Sequence, residues 1–124
     1  MPRSFRDLIA WQKAMTLVTE VYTATATFPK REMFYLTSQM RRAAISIPSN
    51  IAEGNGRATH VDRCHFLYRA RGSSLELQTQ VEIAARLGYL DRESAGMLDA
   101  QANEVGKIIN GLLNALAAAE RAGR

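Results

Sequence analysis

The chain has 124 residues, 47% hydrophobic and 23% charged, the balance of one globular domain with a real core and not of a disordered or fibrous chain. Sixteen Lys and Arg against twelve Asp and Glu leave a net charge of +4, carried by 13 Arg and only 3 Lys. The single cysteine, Cys64, excludes an internal disulfide framework, and no apolar run approaches the ~20 residues of a membrane helix. Met1-Pro2-Arg3-Ser4 opens without the apolar stretch of a signal peptide, so the expectation is a small, basic, cytoplasmic protein with no membrane partner.

The first predicted helix runs from Ser4, where Ser4-x-x-Asp7 resembles a capping box, to Phe28, ahead of Pro29. Leu8, Trp11, Met15, Val18 and Tyr22 form one apolar stripe, and Ala10, Ala14, Leu17, Val21, Ala24 and Phe28 form another beside it. Together they span about 200°, wider than the ~100° stripe one small core requires, which points to a second buried interface.

The second helix is predicted over Glu32 to Asn55, with Leu36, Met40, Ala43, Ile47 and Ile51 toward the core. Pro48 removes one helical hydrogen bond, predicting either a kink there or two shorter helices. Gly54-Asn55-Gly56 ends it. A third helix starts at the Thr59-x-x-Asp62 cap, spaces Phe66, Ala70, Ser73, Leu77, Val81 and Ala84 helically, and stops at Gly88. The fourth, from Asp91 to Ala122, carries Leu98, Ala102, Val105, Ile109, Leu112 and Leu116 at 4-3 spacing. Four helices of about 20 to 30 residues with short turns predict an all-α, antiparallel up-down-up-down four-helix bundle over residues 1–124 as a single domain.

Ser46-Ile47-Pro48-Ser49-Asn50-Ile51-Ala52-Glu53-Gly54-Asn55-Gly56-Arg57 resembles a segment of the bacterial proteins first described as products of intervening sequences in large-subunit ribosomal RNA genes. Phe5-Arg6-Asp7-Leu8, Trp11-Gln12-Lys13-Ala14, Leu36 to Ala43 and Ala70-Arg71-Gly72-Ser73-Ser74-Leu75 extend the resemblance over nearly the whole chain. Asn55 departs from it, since many relatives carry an aromatic there. The resemblance implies a four-helix bundle, no enzymatic activity and, for several relatives, a ring-like homopentamer. A related branch, the accessory variability protein of diversity-generating retroelements, is a basic pentamer that binds RNA and a reverse transcriptase.

Basic residues concentrate between Lys30 and Arg71, where eight cations face three acids, a window of +5 against −1 for the rest. Arg41, Arg42, Arg57, Arg63, Arg69 and Arg71 are the candidate contacts to RNA or DNA phosphate, without base reading. The competing reading is a solvated face or intramolecular pairing, in which Arg71 lies between Glu53 and Glu82 and the partner is another protein.

The second helix carries a polar stripe of Tyr35, Ser38, Gln39, Arg42, Ser46, Ser49, Asn50 and Glu53. It reads either as a ligand cleft or as a network fixing helix register, with Ser46, Pro48, Asn50, Glu53 and Gly54 as structural residues. His60, Cys64 and His65 fall short of a zinc set, and Cys64 reads as a small packed residue. No nucleophile elbow, dinucleotide fingerprint or Glu-x-x-His pair is present, so neither catalytic residues, metal nor cofactor are predicted. Gly106 and Gly111, inside the fourth helix, read either as close backbone approach or as a tolerated weak face.

Overall fold

Caps and turn residues decide where the helices start and stop. A computed structural model describes residues 4–123 and contains four α-helices, α1 (Ile9–Thr25), α2 (Leu36–Asn55), α3 (His60–Arg86) and α4 (Arg92–Ala122). Single 3-10 turns occupy Phe5–Asp7 and Lys30–Glu32, and the described residues contain no strand. The Thr59 hydroxyl accepts from the Asp62 N–H at 3.1 Å, and the Asp91 carboxylate from the Ser94 N–H at 2.7 Å, opening α3 and α4. Gly88, at φ 79°, lets the Tyr89 and Gly88 N–H groups return to the carbonyls of Ala84 and Ala85, closing the end of α3.

Three boundaries differ from the periodicity. Ser4 caps the 3-10 turn, its hydroxyl accepting from the Arg6 N–H, and extended backbone at Leu8 separates that turn from α1. The break buries Leu8 in the core while Phe5 packs edge-on against Trp11, with ring centroids 5.3 Å apart. At its other end α1 stops at Thr25 instead of Phe28. The residue before a proline avoids helical backbone, and the Thr25 hydroxyl and the Arg41 guanidinium already serve the last carbonyls. Likewise α2 begins at Leu36 and not at Glu32, whose carboxylate accepts from the Leu36 N–H and from the Tyr89 hydroxyl. Pro48 lies within α2, which runs as one helix from Leu36 to Asn55.

Cross-helix contacts trace neighbouring helices in opposite directions. Between α3 and α4 the pairs are His60–Glu120, Arg71–Asn110, Gln78–Asp99 and Glu82–Arg92. Between α2 and α3, Ser46 meets Ser73 and Gly54 approaches Phe66. Met40, Ala44, Ile47, Ile51, Leu17, Val21, Leu77, Val105 and Ile109 fill the centre. Removing such apolar side chains from water stabilises the bundle by roughly 1.5–3 kcal/mol for each large one.

Some positions rotate relative to the sequence reading. On α3 the buried residues are Leu67 and Ser74, while Phe66 and Ser73 sit half-buried one step away, facing α2. On α4 Leu113 is buried in place of Leu112. The wide apolar arc of α1 divides: the Ala10, Ala14, Leu17, Val21 stripe is buried, whereas Met15 and Tyr22 stay exposed. No helix among the described residues is long and apolar enough to cross a membrane.

Candidate nucleic-acid interface

The connection between α2 and α3 is tight because Gly54 has no side chain. A Cβ there would lie 3.1 Å from the Cβ of Phe66 and 3.3 Å from the Arg63 carbonyl oxygen, so an alanine would fit only if the two helices moved apart by a few tenths of an ångström. Just beyond, the Gly56 and Arg57 N–H groups bond to the Glu53 and Gly54 carbonyls, and Arg63 Nε donates to the Arg57 carbonyl at 2.8 Å.

That turn brings two of the candidate arginines over one ring and a third beside them. The Arg57 guanidinium lies 4.6 Å and that of Arg69 5.4 Å from the centroid of Phe66. Arg63, tied to the Arg57 backbone, completes the group. Glu53 answers Arg57 at 3.2 Å, an exposed i,i+4 pair that contributes little to stability. Both guanidinium groups are within cation–π range of Phe66, and Arg57 Nη2 is also engaged by Glu53.

The other three arginines lie elsewhere. Arg41 Nε donates to the Thr25 hydroxyl at 2.9 Å and its guanidinium covers Tyr22 at 4.5 Å, fastening α2 to the end of α1. Sixteen residues of helix and turn separate it from Arg57, about 24 Å at helical rise. Arg42 lines a polar cleft between α2 and α3 with Gln39, Ser46, Ser73 and Glu76. Arg71 is not held between Glu53 and Glu82: it donates to Asn110 Oδ1 at 3.1 Å and lies over Tyr68. Glu53 is taken by Arg57, and Glu82 by Arg86 and Arg92, because α3 turns Arg71 toward α4.

Over residues 6–111 the chain matches the family model described as 23S rRNA-intervening sequence protein. It belongs to that family. Among solved structures it is similar to a protein of unknown function from the S23 ribosomal protein family of Bacteroides thetaiotaomicron. The TM-score is 0.79 at 19% identity, over 86% of this chain and 96% of that one. At that identity the likeness carries the fold alone. No curated protein matches the chain.

In this intervening-sequence protein the quoted α2 segment is also where helix register is set. The Ser46 hydroxyl lies 2.8 Å from that of Ser73, and Asn50 Nδ2 donates to both the hydroxyl and the carbonyl of Ser46. Pro48 and Gly54 are buried, and Glu53 is exposed. His60 Nδ1 sits 2.9 Å from a Glu120 oxygen, and Cys64 packs partly buried against the core. No group of three His, Cys, Asp or Glu side chains suited to a metal ion occurs among the described residues.

Sequence reasoning missed the outer ridge of α3. Val61, Tyr68, Leu75 and Ile83 are 76%, 53%, 58% and 43% exposed, and they run along the side opposite the buried Leu67, Ala70, Ser74, Leu77 row. Their 7- to 8-residue spacing was the available signal, hidden because both sides of one helix are apolar. Gly106 and Gly111 also separate: a Cβ at 106 would make ordinary contact with Ser74 Oγ at 3.5 Å, and one at 111 would meet open space.

Proposed function

We propose that this family member is a non-catalytic, cytoplasmic homo-oligomer, a pentamer by family resemblance, that binds the phosphates of structured RNA or DNA. The observation that carries the reading is the gathering of Arg57 and Arg69 over Phe66 at one end of the bundle, with Arg63 bonded to the Arg57 carbonyl and Glu53 as the acid paired to Arg57. Arginine forks suit phosphate oxygens, and repetition around a ring multiplies the charge. Arg41 holds α1 and α2 together in this reading and contributes less, while Arg42 extends the positive surface along α2.

The ridge of α3 supports assembly. A contiguous apolar stripe on one helix, exposed in the single chain, is the usual mark of a surface covered by another protein. It equally supports the second reading, a scaffold whose only partners are proteins.

Salt dependence separates the two. Binding of an RNA hairpin to the purified oligomer is measured at several salt concentrations, beside an Arg57→Gln/Arg69→Gln variant of unchanged assembly mass. A steep slope that falls by about one for each lost phosphate contact supports the nucleic-acid reading. Absent binding, or an unchanged slope, leaves the scaffold.

A further inference from the structure

We infer that the cleft between α3 and α4 is a binding site for a phosphate group, held by Arg71, Asn103, Lys107 and Asn110. The cleft measures about 260 Å³, and its ionised lining side chains among the described residues are Arg71 and Lys107, with no carboxylate. Of the α4 acids flanking the cleft, Asp99 is engaged by Gln78 Nε2 at 3.1 Å and Glu104 by Lys13 Nζ at 2.9 Å. Asn103, Lys107 and Asn110 follow at i, i+4 and i+7, so one side of α4 presents all three to the groove.

Hydrogen-bond accounting leaves the cleft rich in donors. Arg71 donates through Nη1 to Asn110 Oδ1 at 3.1 Å, and its other N–H groups and the Asn110 amide nitrogen make no further hydrogen bond within the described residues. The Arg71 guanidinium lies 4.8 Å from the Tyr68 ring centroid. Among the described residues Asn103 and Lys107 make no side-chain hydrogen bond or ion pair. At the floor, the Ser74 hydroxyl is already committed to the Ala102 carbonyl at 2.7 Å, and Gly106 adds no side chain that would fill the space.

A planar fork from α3 opposite a point charge and two amides from α4 suits a tetrahedral, multiply charged oxyanion better than a carboxylate, which one arginine satisfies alone. The ligand chemistry is therefore a phosphate ester, either in a nucleic-acid backbone or on a small molecule. The inference does not depend on the Arg57–Arg69 cluster, which lies on the α2 side of α3.

The test compares the full chain with an Asn103→Asp/Lys107→Gln variant; both residues are exposed, so the fold is retained. Melting is followed in inorganic phosphate and in chloride of equal ionic strength. Phosphate is expected to raise the wild-type melting temperature by roughly 3 °C beyond chloride, and the variant is expected to lose that rise. An equal rise in both proteins, or none in either, overturns the inference. RNA-hairpin binding then identifies the source. A variant with weaker binding and a salt slope smaller by about one places a backbone phosphate in the cleft. Unchanged RNA binding with lost phosphate protection assigns a small phosphate ester. Loss of RNA binding only in the Arg57→Gln/Arg69→Gln variant, with phosphate protection intact, keeps the two sites distinct.

Discussion

The hydroxyls of Ser46 on α2 and Ser73 on α3 lie 2.8 Å apart, and Asn50 reaches back to the same Ser46 oxygen at 2.9 Å. One hydroxyl thus links two helices and an amide of its own helix, and a slip of either helix breaks the Ser46–Ser73 bond that joins them. This is register control by a small polar network, of the kind that costs stability when half-satisfied.

Ser46→Ala is expected to lower unfolding free energy by about 1 kcal/mol, because the Ser73 hydroxyl and the Asn50 amide each lose a partner. Removing both serines should cost less than the sum of the single changes. Urea unfolding of the two single variants and the double variant measures the coupling directly.

At Gly54 two effects oppose. Alanine gains up to about 1 kcal/mol of helix propensity, but its Cβ meets Phe66 Cβ at 3.1 Å and the Arg63 carbonyl at 3.3 Å, both anchored to the α3 backbone. Overpacking of this sort costs about 1–3 kcal/mol, so Gly54→Ala is expected to destabilise and Gly54→Val to do so more. Gly111→Ala is the control, with open space around the new methyl and an expected gain of up to about 1 kcal/mol.

The α3 ridge makes a separable prediction. Val61→Glu and Ile83→Glu replace exposed apolar side chains and are expected to leave helical content and the monomer fold unchanged. Both are expected to reduce the assembly mass read by light scattering. Unchanged mass in both would exclude the ridge as the contact between copies.

Acid sensitivity follows from two carboxylates. Hydrogen bonds from Arg92 and then Arg86 hold the Glu82 carboxyl below its usual range, and the Ser94 N–H does the same for Asp91 at the start of α4. Both folded-state values are depressed, so their contribution is present above the ordinary carboxylate range and is lost as pH falls through the folded values. Stability should fall below about pH 4, and Glu82→Gln/Asp91→Asn should flatten that limb, as judged by urea midpoints across the acid range.

Much of the architecture was legible because it depends on local chemistry. Thr59 and Asp91 cap their own helices, Gly88 supplies the left-handed turn, and the heptad row of α4 faces inward except that Leu113 takes the place of Leu112. The candidate arginines were legible as residue types and not as a surface. Helical periodicity says which side chains share a side, but not which neighbouring helix that side meets.

By itself the sequence determined four helices, their caps and turns, the family resemblance and the excess of arginine. Only the tertiary structure decided that Arg57 and Arg69 meet over Phe66 with Arg63 bonded to the Arg57 backbone, that Arg41 fastens α1, and that Arg71 joins Lys107 in another cleft. It also decided which of two adjacent stripes on α1 is buried, and left the outer ridge of α3 uncovered. The reason is physical: caps and periodicity act over three or four residues, whereas the rotation of each helix is set by the packing of all four cores at once.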